Sequence, residues 1–222
     1  GRPGRKIVKE LLKGLVEQEE LDLEVANGEN AAGGSGLTLE VCRELLDAGI
    51  DVITMGNHTW SNRGIYQVFD QVDCVIRPAN YPEGTPGNGY YLVEAASGMT
   101  VGVINLMGQV YLDPIGCPFH EVDRCLKALK KQTNLILVDF HAEATSEKIA
   151  MGLDGRVTAV LGTHTHVVTA DERILPQGTA YLTDVGMTGP TNSVLGVKPE
   201  IIVEKFLTKR PIRFELAGDP VE

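Results

Sequence analysis

Four of the five histidines lie in short polar segments that also contain asparagine or carboxylate residues. The segments are Asn27-Gly-Glu-Asn30, Gly56-Asn-His-Thr-Trp60, Asp139-Phe-His-Ala-Glu143 and Gly162-Thr-His-Thr-His166. Imidazole nitrogen combined with carboxylate or amide oxygen suits divalent transition ions. None of the segments contains cysteine, which argues against a structural zinc site. The residue types therefore predict a metal centre assembled from distant parts of the chain.

The spacing of these residues is compatible with one metal ion or with two adjacent ions. His164 and His166 are separated by one residue, so in an extended backbone both side chains would point to the same side. A carboxylate such as Glu29 can bridge two ions while asparagine oxygens complete their coordination. Two ions about 3.5–4 Å apart can bind phosphoryl oxygens and activate a hydroxide for in-line attack. His120, on a predicted helix at 119–131, is interpreted as structural or exposed.

The overall charge restricts the classes of partner. The formal net charge is -10 and the pI is near 5.0, so the chain has no general electrostatic affinity for duplex DNA or anionic membranes. A phosphate ester substrate would need a local source of positive charge, which bound metal could supply. The longest apolar runs have the length of strands, not of membrane spans. The four cysteines form no Cys-x-x-Cys pair, so reduced thiols and a cytoplasmic location are expected.

The elements that position these residues alternate between helical and strand-like segments. This pattern predicts an α/β fold with buried strands, in a single domain over residues 1–222. Polar loops follow the predicted strands at 21–26, 51–55, 134–139 and 157–161. Ligands of open α/β sheets bind beyond the carboxyl ends of the strands. The four loops are therefore expected to meet at one edge.

Four acidic residues near the predicted centre have roles that the sequence leaves open. Glu143 and Glu147 could orient His141 through hydrogen bonds, or they could be capping and surface charges of a helix at 145–151. Asp139 is interpreted as the end of its strand. Asp184 belongs to a polar loop that is expected to shape the pocket.

The motifs resemble those of a known family. NGENAA at 27–32, TMGNHTW at 54–60, RPAN at 77–80, HAEATSEK at 141–148, GTHTH at 162–166 and TDVGMTGP at 183–190 occur in this order. Together they resemble the bacterial YmdB-like phosphodiesterases, a family within the calcineurin-like metallophosphoesterases. The resemblance covers essentially the whole chain.

The resemblance implies a fold and a set of site residues. The fold would be a four-layer αββα sandwich, with two mixed β-sheets flanked by helices. The implied metal ligands are Glu29 as the bridging carboxylate, Asn30 and His166 at the first ion, and Asn57, His141 and His164 at the second. His58 would contact the phosphate and protonate the leaving alkoxide. The cofactors would be two divalent or trivalent ions, with iron or manganese favoured and zinc possible.

The resemblance also implies an activity. A metal-bound hydroxide would hydrolyse a phosphodiester, with 2′,3′-cyclic nucleotides as the expected substrate class. The same site could instead act on phosphomonoesters or phosphoproteins. A third possibility is a regulatory metal-binding protein that acts through partners. A homo-oligomer is expected.

One part of the family pattern is missing from the printed sequence. The superfamily's first motif is a Gly-Asp pair at the end of an N-terminal strand, and its aspartate ligates the first metal. The printed chain begins with Gly1-Arg-Pro-Gly-Arg5, which resembles the loop after that strand. The strand and its aspartate are therefore expected upstream of Gly1.

Overall fold

The computed structural model describes residues 1–150 and 152–218. In chain order the elements are α1 (Arg2–Glu19), β1 (Val25–Asn27), α2 (Leu39–Ala48), β2 (Val52–Thr54), α3 (Ile65–Gln71), β3 (Val75–Ile76), β4 (Tyr90–Glu94), β5 (Thr100–Met107), α4 (Pro118–Leu129), β6 (Ile136–His141), α5 (Thr145–Ala150), β7 (Ala159–Thr163), β8 (Arg173–Ile174), β9 (Ala180–Leu182) and α6 (Pro199–Thr208). Within these described ranges, no helix is both long and apolar enough to span a bilayer.

The described strands form two sheets. The smaller sheet has the order β1-β2-β3, and the larger has the order β4-β5-β6-β7-β9-β8. The predicted two-sheet α/β architecture is confirmed. The larger sheet is mixed as expected, because β4 and β8 are antiparallel to their neighbours. The smaller sheet is parallel throughout its described strands rather than mixed, because α2 and α3 return the chain to the same end before each new strand.

The two sheets pack face to face, with helices on the outer sides. One core joins α4 to the outer face of the larger sheet, and another joins α1, α2 and α3 to the outer face of the smaller sheet. Between the sheets, Val52 and Ile76 of the smaller sheet pack with Val103 of the larger. This is the four-layer arrangement that the family resemblance implied.

Alternation along the strands places polar side chains between the sheets at one end. In β6, Ile136 and Phe140 pack against the α4 side, whereas Leu137 lies between the sheets. Successive strand residues face opposite ways, so Asp139 and His141 share the inner face with Leu137. The inner faces are thus apolar at the start of the strands and polar at their carboxyl ends.

Several strands extend further than the sequence indicated. β6 ends at His141 rather than at 139, and β7 ends at Thr163 rather than at 161. The reason is ladder pairing, because His141 is in register with Met107 on one side and with Thr163 on the other. His141 is therefore held in a central strand instead of a loop.

Candidate metal centre

One group of donor atoms surrounds Nε2 of His141. Asn57 Oδ1 lies 2.9 Å from this nitrogen, His164 Nδ1 lies 3.0 Å from it, and Glu29 Oε1 lies 3.3 Å from it. One donor atom each from Glu29, His141 and His164 lies within 4.8 Å of the others. Two imidazoles, a carboxylate and an amide oxygen converging in this way are a suitable donor set for a transition ion.

A second group of polar atoms also contacts Glu29. Asn30 Nδ2 is 3.0 Å from Glu29 Oε1 and 3.1 Å from His166 Nε2. Half a turn of the Asn30 carboxamide exchanges its nitrogen and oxygen, so the oxygen can face the same point. Glu29 belongs to both groups, which is the arrangement a bridging carboxylate requires. The structure thus brings together all six predicted ligands.

The surroundings of the donor groups favour the protonation states that bind metal. Glu29 and His141 are each only 1% exposed. Burial alone would raise the pKa of Glu29, but the hydrogen bond and charge of His141, together with the backbone N–H of His58, lower it to about 2. Burial, followed by the nearby His141, lowers the pKa of His164. Burial is also the main cause that lowers the pKa of His166. An ionised carboxylate and neutral imidazoles are the forms that coordinate metal.

The backbone of the two-histidine segment is not extended, contrary to the sequence hypothesis. His164 has φ of 108° and His166 has φ of 65°, both in the left-handed region that non-glycine residues rarely adopt. The segment therefore curls between its two histidines. As a result His164 contacts His141 and His166 contacts Asn30. The two imidazoles therefore belong to different donor groups.

A buried relay behind His141 fixes the orientation of its ring. His141 Nδ1 is 2.9 Å from Thr163 Oγ1, and the hydroxyl donates to Asp139 Oδ1 at 2.6 Å. The other oxygen of Asp139 accepts from Thr54 Oγ1 and, at 3.3 Å, from Asn27 Nδ2. Because the Thr163 proton points to Asp139, His141 donates from Nδ1 and its Nε2 is free to bind metal. Asp139 joins both sheets beneath the site, a role that its strand-end position did not indicate.

Thr163→Val tests this relay. Valine keeps the shape of threonine but cannot accept from His141 Nδ1, so we expect Mn²⁺ affinity to fall about 10–100-fold, as is typical when the hydrogen-bond partner of a ligand is removed. Titration calorimetry on the metal-free protein measures the effect. Thr54→Val is the matched control, because Thr54 also bonds Asp139 but does not touch His141. Equal losses in the two variants would contradict the relay.

The structure shows contacts for the two glutamates after His141, whose roles the sequence left open. Glu143 Oε2 lies 3.0 Å from His164 Nε2, so it orients His164 rather than His141. Glu147 accepts from the backbone N–H groups of Gln109 and Val110, at 2.8 and 3.2 Å. It therefore anchors the loop after β5.

His58 lies beside the donor groups without joining them. Its backbone N–H donates to Glu29 Oε2 at 3.0 Å, while its ring Nδ1 lies 3.3 Å from Ser61 Oγ. This contact leaves Nε2 as the ring atom that can face a ligand. The ring is half-buried, so it is accessible from solvent. His120 is exposed on α4, as predicted.

Gly56 allows the two sheets' donor residues to approach each other. A Cβ at this position would overlap both His141 Nε2 and Glu29 Oε2. Both of those side chains are buried, so neither can move aside freely. Glycine is therefore needed here for space.

Gly56→Ala should consequently disrupt the centre. Because the methyl group displaces two donor side chains directly, we expect Mn²⁺ affinity to fall by more than about 100-fold, beyond the loss typical for an outer hydrogen-bond partner. Gly14→Ala is the control, since nothing lies within 4 Å of the added methyl group in α1. Titration calorimetry measures the Mn²⁺ affinity of both variants. Wild-type Mn²⁺ affinity in Gly56→Ala would show that the donor groups do not act together.

A cavity of about 490 Å³ opens next to the second group. Asn30, His164 and His166 line one side, and the segment from Val185 to Pro190 lines another. This volume is within the range of small-molecule sites. A ligand in the cavity could reach both donor groups.

Comparison with known proteins supports the resemblance seen in the sequence. A family model described as YmdB-like protein matches residues 1–222. A Bacillus subtilis (strain 168) protein named 2′,3′-cyclic-nucleotide 2′-phosphodiesterase is 51% identical over 219 residues, covering 98% of this chain and 83% of that protein.

Solved structures share the fold. A Thermus thermophilus protein described as hypothetical superposes with a TM-score of 0.91 at 43% identity, covering 99% of this chain and 85% of that one. A novel phosphatase from Mycoplasma pneumoniae superposes with a TM-score of 0.90 at 38% identity, covering 100% and 81%. The Haemophilus influenzae NAD nucleotidase, at 14% identity and a TM-score of 0.58 over 81% of this chain and 43% of that one, shares the fold alone. The chain belongs to the YmdB-like protein family.

Proposed function

We propose that this chain is a two-metal phosphodiesterase that hydrolyses 2′,3′-cyclic nucleotides. The observation that carries the proposal is the position of Glu29, whose Oε1 lies 3.3 Å from His141 Nε2 in one donor group and 3.0 Å from Asn30 Nδ2 in the other. A buried carboxylate shared by two donor groups is what a pair of adjacent ions requires. The substrate class is supported by the name of the Bacillus subtilis relative.

Each donor group would hold one ion. Asn57, His141 and His164 would hold one, Asn30 and His166 the other, and Glu29 both. When bound, the ions would supply positive charge at the phosphate and activate water as the nucleophile. Nitrogen and oxygen donors suit iron, manganese or zinc. Of these, we propose iron or manganese.

His58 would complete the reaction as the general acid. His58 follows Asn57 in the chain, and its ring bonds Ser61 rather than the donor atoms, so its Nε2 is available to a bound substrate. Opening the cyclic phosphate breaks a P–O bond and releases a ribose alkoxide, a strongly basic leaving group. Proton donation from His58 Nε2 to this oxygen would lower the barrier.

Hydrolysis of phosphomonoesters is the second candidate, favoured by the description of the Mycoplasma pneumoniae relative as a phosphatase. A monoester presents the same phosphoryl oxygens to the same donors, so the centre alone does not discriminate between them. A cytoplasmic location and a homo-oligomeric state belong to the same proposal.

The experiment combines metal analysis with substrate comparison. The purified protein is reconstituted with Mn²⁺ or Fe²⁺, and metal equivalents are counted by mass spectrometry. Turnover of a 2′,3′-cyclic nucleotide is then compared with that of a 3′-nucleotide. We expect two equivalents of bound metal and faster hydrolysis of the cyclic nucleotide than of the 3′-nucleotide. Faster hydrolysis of the monoester would favour the second candidate, and absence of bound metal would remove the basis of both.

A further inference from the structure

A buried ion pair lies behind the two-histidine segment. Lys148 Nζ is 2.9 Å from Asp184 Oδ2, and the two side chains are 1% and 0% exposed. Lysine is almost never fully buried unless it is paired. A buried pair also gains little net stability over apolar packing, because both charges lose their hydration. The placement of this pair therefore calls for a role beyond stability.

The carboxylate of Asp184 binds the backbone between the two histidines. Its Oδ2 accepts from the N–H of Thr165 at 3.0 Å, and its Oδ1 accepts from the N–H of Gly186 at 2.8 Å. Thr165 lies between His164 and His166, both of which have positive φ. Strained conformations of this kind persist only where the surroundings over-determine them. Asp184 supplies such a constraint at the centre of the curl.

Lys148 connects this constraint to the rest of the site. It lies on α5, the short helix that follows His141 and Glu143 in the chain. Glu143 also reaches His164, through its contact with Nε2. The segment with the two histidines is thus held from one side by Glu143 and from behind by Asp184. Lys148 fixes Asp184 and balances its negative charge.

We propose that Lys148 and Asp184 are positioning residues that hold the backbone at Thr165, so that His164 and His166 face separate metal ions. This inference rests on the two-metal function proposed above. It goes beyond that function because it assigns an effect on metal affinity to an ion pair that makes no hydrogen bond to a ligand side chain. Breaking the pair should weaken metal binding more than a general loss of stability does.

The test measures metal affinity and stability separately. Lys148→Met removes the cation with little change in length, and Asp184→Asn removes the anion with little change in volume. Leu129→Ala is the control, since it opens a cavity in α4, where Leu129 is fully buried in the core. For each protein, the melting temperature of the metal-free form and the Mn²⁺ affinity by titration calorimetry are determined.

All three variants should melt at lower temperature, but only the pair variants should lose Mn²⁺ affinity, by about 10–100-fold. If Lys148→Met does not fold, the Mn²⁺ affinities of Asp184→Asn and Leu129→Ala are compared to test the positioning role. Wild-type Mn²⁺ affinity in the folded pair variants would overturn the positioning role while leaving the proposed function intact. Failure of the wild-type protein to bind either Mn²⁺ or Fe²⁺ would instead contradict the proposed function.

Discussion

His58→Ala is expected to lower turnover of a 2′,3′-cyclic nucleotide by about 10²–10⁴-fold, the usual contribution of a general acid, while metal content stays unchanged. The metal should remain because the ring of His58 bonds Ser61 rather than the donor atoms. Its backbone N–H, which does bond Glu29, is retained in alanine. Steady-state kinetics together with metal analysis check both parts.

The leaving group provides a sharper version of the same test. A phosphodiester with a nitrophenolate leaving group needs little protonation, so His58→Ala should impair its hydrolysis far less than that of the cyclic nucleotide. His120→Ala, at an exposed histidine on α4, serves as the matched control and should behave as wild type. An equal loss on both substrates would argue that His58 binds the phosphate without donating a proton.

Glu29→Gln is expected to reduce bound metal from two equivalents to one or none and to lower turnover by at least about 10³-fold. Glutamine preserves the size of the side chain but removes the negative charge that two ions would share. The ions supply several kcal/mol of charge stabilisation at the phosphate, and about 4 kcal/mol corresponds to that factor in rate. Elemental analysis and kinetics on the same preparation provide the measurement.

The control for this change is Glu83→Gln, because Glu83 is an exposed carboxylate in the loop before β4. It should keep both metal content and activity. The assignment of Glu29 would be wrong if Glu29→Gln retained two equivalents and full turnover. If Glu29→Gln kept two equivalents of metal but turned over more slowly, Glu29 would contribute to the reaction and not to metal binding.

The residue types of the site could be predicted from the sequence, because imidazole, carboxylate and amide groups after strands have few other uses in such numbers. Residues Glu29, Asn57 and His141 come together as expected because their strands end at the same edge. The curl at His164 and His166 could not be predicted from their spacing. It depends on a hydrogen bond to Asp184, which is distant in sequence and is brought close only by the sheet.

The supporting network was largely missed for a related reason. Asp139 ends an apolar run, and a strand-ending carboxylate on the surface would produce the same pattern. Lys148 lies in a short segment whose residues are mostly polar, so the sequence favours exposure. Only the tertiary structure shows that both are buried. Their polar partners, Thr163 and Asp184, belong to other strands and loops.

Secondary structure was predicted better where local signals were strong. Thr38 caps α2 by accepting from the N–H of Val41, and Gly49 ends it with φ of 115°; both features are visible in the sequence. Strand β1 begins at Val25 rather than at 21, because its pairing with β2 starts opposite Val52.

The hydrogen bonds of Asp139 across the two sheets have a consequence for folding. Asn27 and Thr54 belong to one sheet, and Asp139 and Thr163 to the other, so the donor groups exist only while the sheets are docked. An ion that binds the docked form alone shifts the equilibrium against every partly opened state. Bound metal would then stabilise the docked arrangement of the two sheets. Loss of the metal would weaken the association of the two sheets before either sheet unfolds.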